Sequence, residues 1–293
     1  MYIGYANYNL ALTSCYFTAN LALAGAGIYA YTVTWYLGLS SCIFTANRAR
    51  YDGGAIGLST NNDFVDITLC SFIDNTVTEG NGGGIYIGSD NDKVEFMFCD
   101  FIKNTGTNGA GVSIGTNNDD IKFTSSTFTN NSAARNGGAL SFESNNMEAY
   151  FVSCTLAENT AEGDGGSIYV HGNNIQMTIN SCTFDKNTAN NGGGLAMNSD
   201  NDNLDLSTCV FSKNTAKGHG GGMYFGSNNV GVLLTGVTFA HNLAVSGNGG
   251  ALCAQFYNFE IIVKNSEFSN NVAGGAGNIL LLLFCCFDAV VQL

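Results

Sequence analysis

The chain has 293 residues, 10 Lys plus Arg against 23 Asp plus Glu, a net charge of −13, 38 Gly, 10 Cys and no Pro. That surplus of negative charge repels polyanions and excludes nucleic acid as a partner. Only 11% of residues are charged, so the polarity of the surface must come from Asn, Ser, Thr and Gly.

The chain opens inside a repeat. Met1 and Ile3 hold positions that are inward-facing in later copies, and the first unit closes on Cys15-Tyr16-Phe17-Thr18-Ala19-Asn20. The same signature, a small residue, then an aromatic two positions on, then Asn three further, returns at 42–47, 70–75, 99–104, 126–131, 154–159, 182–187, 209–214, 237–242 and 266–271. Only Leu156 replaces Phe. Self-similarity at a fixed spacing of this size predicts a solenoid whose repeats stack on one another, so residues 1–293 form one array and a count of domains from length would mislead.

Within a unit the apolar residues alternate with period two, which predicts strands. Val65 and Ile67, Val94 and Phe96, and Leu204 and Leu206 form one inward pair per unit. The Cys-like residue and the Phe form a second pair out of phase by one, which requires a bend or bulge between them. Upstream lies a Gly-Gly segment such as Gly53-Gly54-Ala55-Ile56 or Gly137-Gly138-Ala139-Leu140. Its glycines suit a corner that needs positive φ or close approach of the next coil. Three strands and three corners per unit predict an all-β fold, a right-handed single-stranded parallel β-helix of about ten coils. Asn62, Asn91, Asn118 and their counterparts, with Thr34 the exception, are expected to supply the left-handed conformation at a corner and to stack as an amide ladder.

Recurrence in every coil marks a structural duty, so candidate chemistry is sought where coils differ. On the solvent side of the Gly-Gly strand, Tyr86, Tyr169 and Tyr224 offer aromatic faces that can stack on sugars, although outward Tyr is also ordinary strand composition. Two residues further along, Glu143 and His171 stand one coil apart on that face, as an acid–base pair would. No Arg or Lys stands on the row to neutralise a uronate, and no second carboxylate completes a glycosidase pair. Asp63, Asp92 and Asp119 fall in three successive coils just after the corner Asn. Like charges stacked at about 4.8 Å repel, which suits either a solvated face helped by Lys93 and Lys122 or a bound Ca2+; no other cofactor is implied.

The seven cysteines of the ladder position are expected to be buried free thiols, because stacked side chains on parallel strands point the same way and do not converge as a disulfide requires. They lack the C-x-x-C or His companions of a metal site. Residues 279–293 form an atypical apolar terminal segment, too short to span a bilayer as a helix; the adjacent Cys285 and Cys286 within it have no explanation.

The pairing of Gly-Gly-Ala-Ile, with Leu, Met or Val variants, and Phe-x-x-Asn resembles the repeats of chlamydial polymorphic outer-membrane proteins, and the resemblance covers nearly the whole chain. It implies a non-catalytic, autotransported passenger on the cell surface or outer membrane that attaches to a host-cell or surface glycan or protein. The chain departs from that family in lacking a secretory signal peptide and a translocator barrel. With no polar caps at its ends, it is expected to be a fragment on which further repeats stack end to end. The alternative is a carbohydrate-active enzyme, a polysaccharide lyase or hydrolase of the pectin-lyase-like type, working through Glu143 and His171.

Overall fold

The computed structural model describes residues 1–277, 279–281 and 290–292; Cys285 and Cys286 lie outside them. Among the described residues there is no helix, and the chain winds as a parallel β-solenoid of about ten coils. A representative coil contains the strands Ile56–Thr60, Asp63–Thr68, Ser71–Ile73 and Thr76–Val77. Each pairs in parallel with its counterpart in the next coil, Ile56 with Ile85, Val65 with Val94, Phe72 with Phe101 and Thr76 with Thr105.

The coil thus has four strands and not the three expected. The fourth is two residues long, too short to show a period of its own. It forms because the second residue after the ladder Asn is small and turns inward: Ala133, Ala161 and Ala189 pack with Ala110, and Ala49 and Val77 with Ala26.

The phase slip between the second and third strands has the expected cause. One residue adopts the left-handed conformation there, Leu69 at φ +54° and Phe98 at φ +53° among them. At the two-residue corner between the first and second strands the assignment differs from expectation. The left-handed residue is the one before the repeated Asn, namely Asn61, Asp90, Asn117 and Asn145 at φ +52° to +62°. The ladder Asn is therefore free to turn its side chain into the core.

Two aromatic stacks fill that core. Phe44, Phe72, Phe101 and Phe128 are fully buried, with successive centroids 4.9, 4.8 and 4.6 Å apart and planes within 9° of parallel. Phe184, Phe211 and Phe239 continue the column beyond Leu156. A second stack, Phe96, Phe123 and Phe151, meets the first edge-on at Phe96–Phe101. Offset-stacked and edge-to-face contacts are the geometries that the ring quadrupole favours.

Polar ladders run beside the rings. In the Phe-x-x-Asn column, Asn159 donates both its backbone N–H and its side-chain Nδ2 to Oδ1 of Asn187, at 2.9 and 3.1 Å. Asn187 Nδ2 in turn donates to the Leu156 carbonyl and to Asn214 Oδ1, each at 2.9 Å. Every donor and acceptor of that buried amide is used, which burial demands. The second Asn column repeats the pattern, as in Asn62 to Asn91, and stops at Thr34, whose buried Oγ1 has no partner. The cysteine column is a third ladder: Cys154 N–H donates to Cys182 Sγ at 3.3 Å, and Cys182 Sγ donates to the Asn180 carbonyl at 3.3 Å. Ser126 and Ser266 make the same bonds with Oγ. All seven ladder cysteines are free.

The two glycines of each Gly-Gly pair have separate duties. Gly53 sits at φ +69°, whereas a Cβ on Gly54 would fall onto the carbonyl oxygen of Gly83 in the next coil. Positive φ and close approach are both present, one residue apart.

Candidate binding site on the outer sheet face

The Gly-Gly corner decides what the outer face can offer. The residue before the positive-φ glycine forms a fourth ladder along the corner, through Asp52, Asn81, Asn108, Asn136, Asp164, Asn191, His219 and Asn248. Each presents a side-chain acceptor to the backbone N–H of the next, for example Asn81 N–H to Asp52 Oδ1 at 2.8 Å and Asn248 N–H to His219 Nδ1 at 3.0 Å. Sequence reasoning missed it because the residue type varies, although an Asn, Asp or His before the glycine recurs in most coils. The corner folds back on its own strand, so that a Cβ on Gly109 would meet Ser113 Cα and the Ser141 backbone nitrogen. In consequence Ser113, Ser141, Ala196 and Cys253, on the row expected to face solvent, are buried. Among the described residues the hydroxyls of Ser113 and Ser141 have no hydrogen-bond partner.

Of the tyrosines of this row, Tyr169 is buried and Tyr86 and Tyr224 are partly buried. Burial pushes the Tyr169 and Tyr224 phenols up to about 12, with Asp164 adding to both. Tyr86 is raised as well, by burial and then by Asp52, Glu143 and Tyr29. Glu143 adds to the rise of both Tyr86 and Tyr169, and its coil stands between theirs. Tyr224 sits apart, stacked against His219 at 6.4 Å.

Glu143 and His171 are on the same face, but among the described residues no ion pair joins them. His171 Nδ1 instead faces the Ser144 hydroxyl at 3.4 Å, with its ring edge-on to Tyr169 at 6.2 Å.

Asp63, Asp92 and Asp119 stack in consecutive coils on the second strand's outer face. Each inner step carries a hydrogen bond that eases their repulsion: Asp92 N–H donates to Asp63 Oδ1 and Asp119 N–H to Asp92 Oδ1, both at 3.2 Å. Burial holds the Asp92 carboxyl above its ordinary range, the Asp119 N–H opposes this, and the charges of Asp63, Asp119 and Asp90 add to the rise. Of the two lysines expected beside the strip, Lys122 reaches Glu95 at 3.8 Å while Lys93 lies over the Phe64 ring at 4.8 Å. Among the described residues no three His, Cys, Asp or Glu side chains are grouped to hold a metal ion.

Near the start of the chain the outer row is rich in aromatic residues. Eight of the 13 tyrosines, and the single Trp35, lie within the first 51 residues. On the outer face of the first strand there, Tyr29 and Tyr86 stand two coils apart, with Gly57 between them in the same row. They line a groove of about 370 Å³ together with Asp52, Ser59, Gly88 and Ser89.

Against known proteins, the model of the Chlamydia polymorphic membrane protein repeat matches residues 125–143. That stretch holds one complete copy of the two-part motif, Phe128-Thr129-Asn130-Asn131 and Gly137-Gly138-Ala139-Leu140. No curated protein matches the chain. Residues 125–143 therefore carry a repeat of the chlamydial polymorphic membrane protein type, which points to an outer-membrane or surface protein.

Proposed function

We propose that this chain is a non-catalytic attachment module exposed at a cell surface, a passenger segment that holds to a glycan or protein on another surface. The observation that carries the reading is how each coil divides its polar groups. The inward Asn, Cys and Ser side chains are consumed in ladders that bind coil to coil, while the outer sheet face keeps the partly buried Tyr29, Tyr86 and Tyr224. The type of repeat at 125–143 supports the same reading. Cleavage of a polysaccharide would require Glu143 and His171 to converge on one bond, and His171 is turned toward Ser144 instead.

Beads coated with the protein should adhere to host-type cells, and the protein should release no reducing or unsaturated ends from a polysaccharide panel. Release of such ends that is lost in Glu143→Gln would replace attachment with catalysis.

A further inference from the structure

The groove between Tyr29 and Tyr86 has the chemistry of a sugar subsite. Its walls are two aromatic rings, both half-buried and so fixed in place. Tyr29 is braced from behind by Tyr2, stacked at 6.1 Å. Gly57, where neighbouring coils carry Tyr, lets the Tyr29 ring lean over the row between them. A Cβ on Gly57 would already be 3.0 Å from the Tyr29 ring. The floor is closed at Gly88, where a Cβ would fall onto the Ser59 carbonyl. Asp52, Ser59 and Ser89 supply a carboxylate and two hydroxyls. The Asp52 carboxyl is raised by burial and partly restored by the Asn81 N–H it accepts, so it is a fixed acceptor at the corner. Among the described residues no Lys or Arg lines the groove.

We propose that this groove binds an uncharged pyranose unit of an oligosaccharide, packing its C–H faces on Tyr29 and Tyr86 and its hydroxyls on Asp52, Ser59 and Ser89. Two aromatic walls with a few convergent polar groups in a cavity of this size describe a small-ligand site. Absence of a cation in the lining, beside a carboxylate and on a chain of net charge −13, selects against uronates, phosphates and sulfated sugars. The proposal deepens the attachment reading by naming its ligand class and place.

The test is calorimetric titration of the whole chain with tetrasaccharides of glucose, galactose, mannose and N-acetylglucosamine, and with a tetragalacturonate. Saturable binding of at least one neutral sugar is expected, weakened about tenfold or more in Tyr86→Ala, the loss of one well-placed aromatic contact. Gly57→Tyr should abolish it, because a side chain at that position collides with the Tyr29 ring, 3.0 Å from where its Cβ would stand, and displaces that wall of the groove. Tyr257→Ala, an exposed tyrosine elsewhere, should bind normally. No neutral sugar bound, preference for the galacturonate, or indifference to both groove variants would overturn the proposal. Cell adhesion by beads carrying Gly57→Tyr separates the two readings: if adhesion persists the groove is not the attachment site, and if unmodified beads never adhere it is the attachment reading that fails.

Discussion

Asn187 shows what one side chain does in this architecture. Its amide serves two donors and one acceptor of the coil before and one acceptor of the coil beyond, so Asn187→Ala leaves the Asn159 N–H and one Nδ2 proton buried without partners. Each orphaned donor costs about 1–3 kcal/mol. Urea unfolding should therefore show Asn187→Ala far less stable than Thr188→Ala one position along. At the thiol ladder the hydrogen bonds of Cys182 matter as well as its volume. Cys182→Ser keeps both hydrogen bonds, as Ser126 does natively, whereas Cys182→Val leaves the Cys154 N–H unpaired and should be the less stable by about 1–3 kcal/mol. Cys182→Leu, which overpacks the column, should be worse again. Burial pushes the Cys70 thiol up to about 12 and Cys99 up to about 11, so the folded protein should resist alkylation at these positions. Denatured without reductant, it should take up label at every ladder cysteine.

Single elements were read from the sequence to different depths. Long strands with a clean period, such as Asp63–Thr68, gave their inward residues correctly because alternation leaves no second choice. The fully buried Phe184, stacked on Phe211 at 4.3 Å, follows from the same phase, and Phe184→Ala should cost about 3–5 kcal/mol where the column cannot collapse. Two-residue strands and the corner ladder were hidden, the first by brevity and the second because Asp, Asn and His share only an acceptor atom. The burial of Ser113 and Ser141 was hidden too, since alternation tells which side a residue takes but not whether a corner folds over it.

The acidic strip is likewise a property of an element. Because the native carboxyl of Asp92 is held above its ordinary value, the folded state binds its proton more tightly than the unfolded chain. Its contribution therefore favours folding at low pH, declines as pH rises from about 3.9 through the raised native value, and is flat above. Asp92→Asn should raise the Tm at neutral pH and remove that slope. With the inner Oδ1 atoms already accepting N–H groups, millimolar calcium is expected to act no better than sodium chloride of matched ionic strength. A calcium-specific rise that Asp92→Asn abolishes would instead identify a cation site.

At the scale of the molecule, about ten coils at the strand spacing make a rod of roughly 50 Å. Each coil touches only its neighbours, so stability is close to a sum over coils and interfaces. Removing residues 160–187 deletes one whole turn and joins Asn159 to Thr188 in the register that Asn187 had. That variant should keep a strand-type circular dichroism spectrum and a cooperative transition. Removing 160–173, which places outer residues inward, should abolish both.

The three interior ladders all point one way, N–H of one coil to the side-chain acceptor of the next, from Asn20 toward Asn271. The rod is therefore a vector, with unlike chemistry at its two faces perpendicular to the axis. Two such faces of the same kind offer matching groups, donor to donor or acceptor to acceptor, and cannot continue the ladder across a twofold axis. An end-on contact that continued these three interior ladders would therefore be heterologous, and would generate an open file of rods in one sense and not a closed pair.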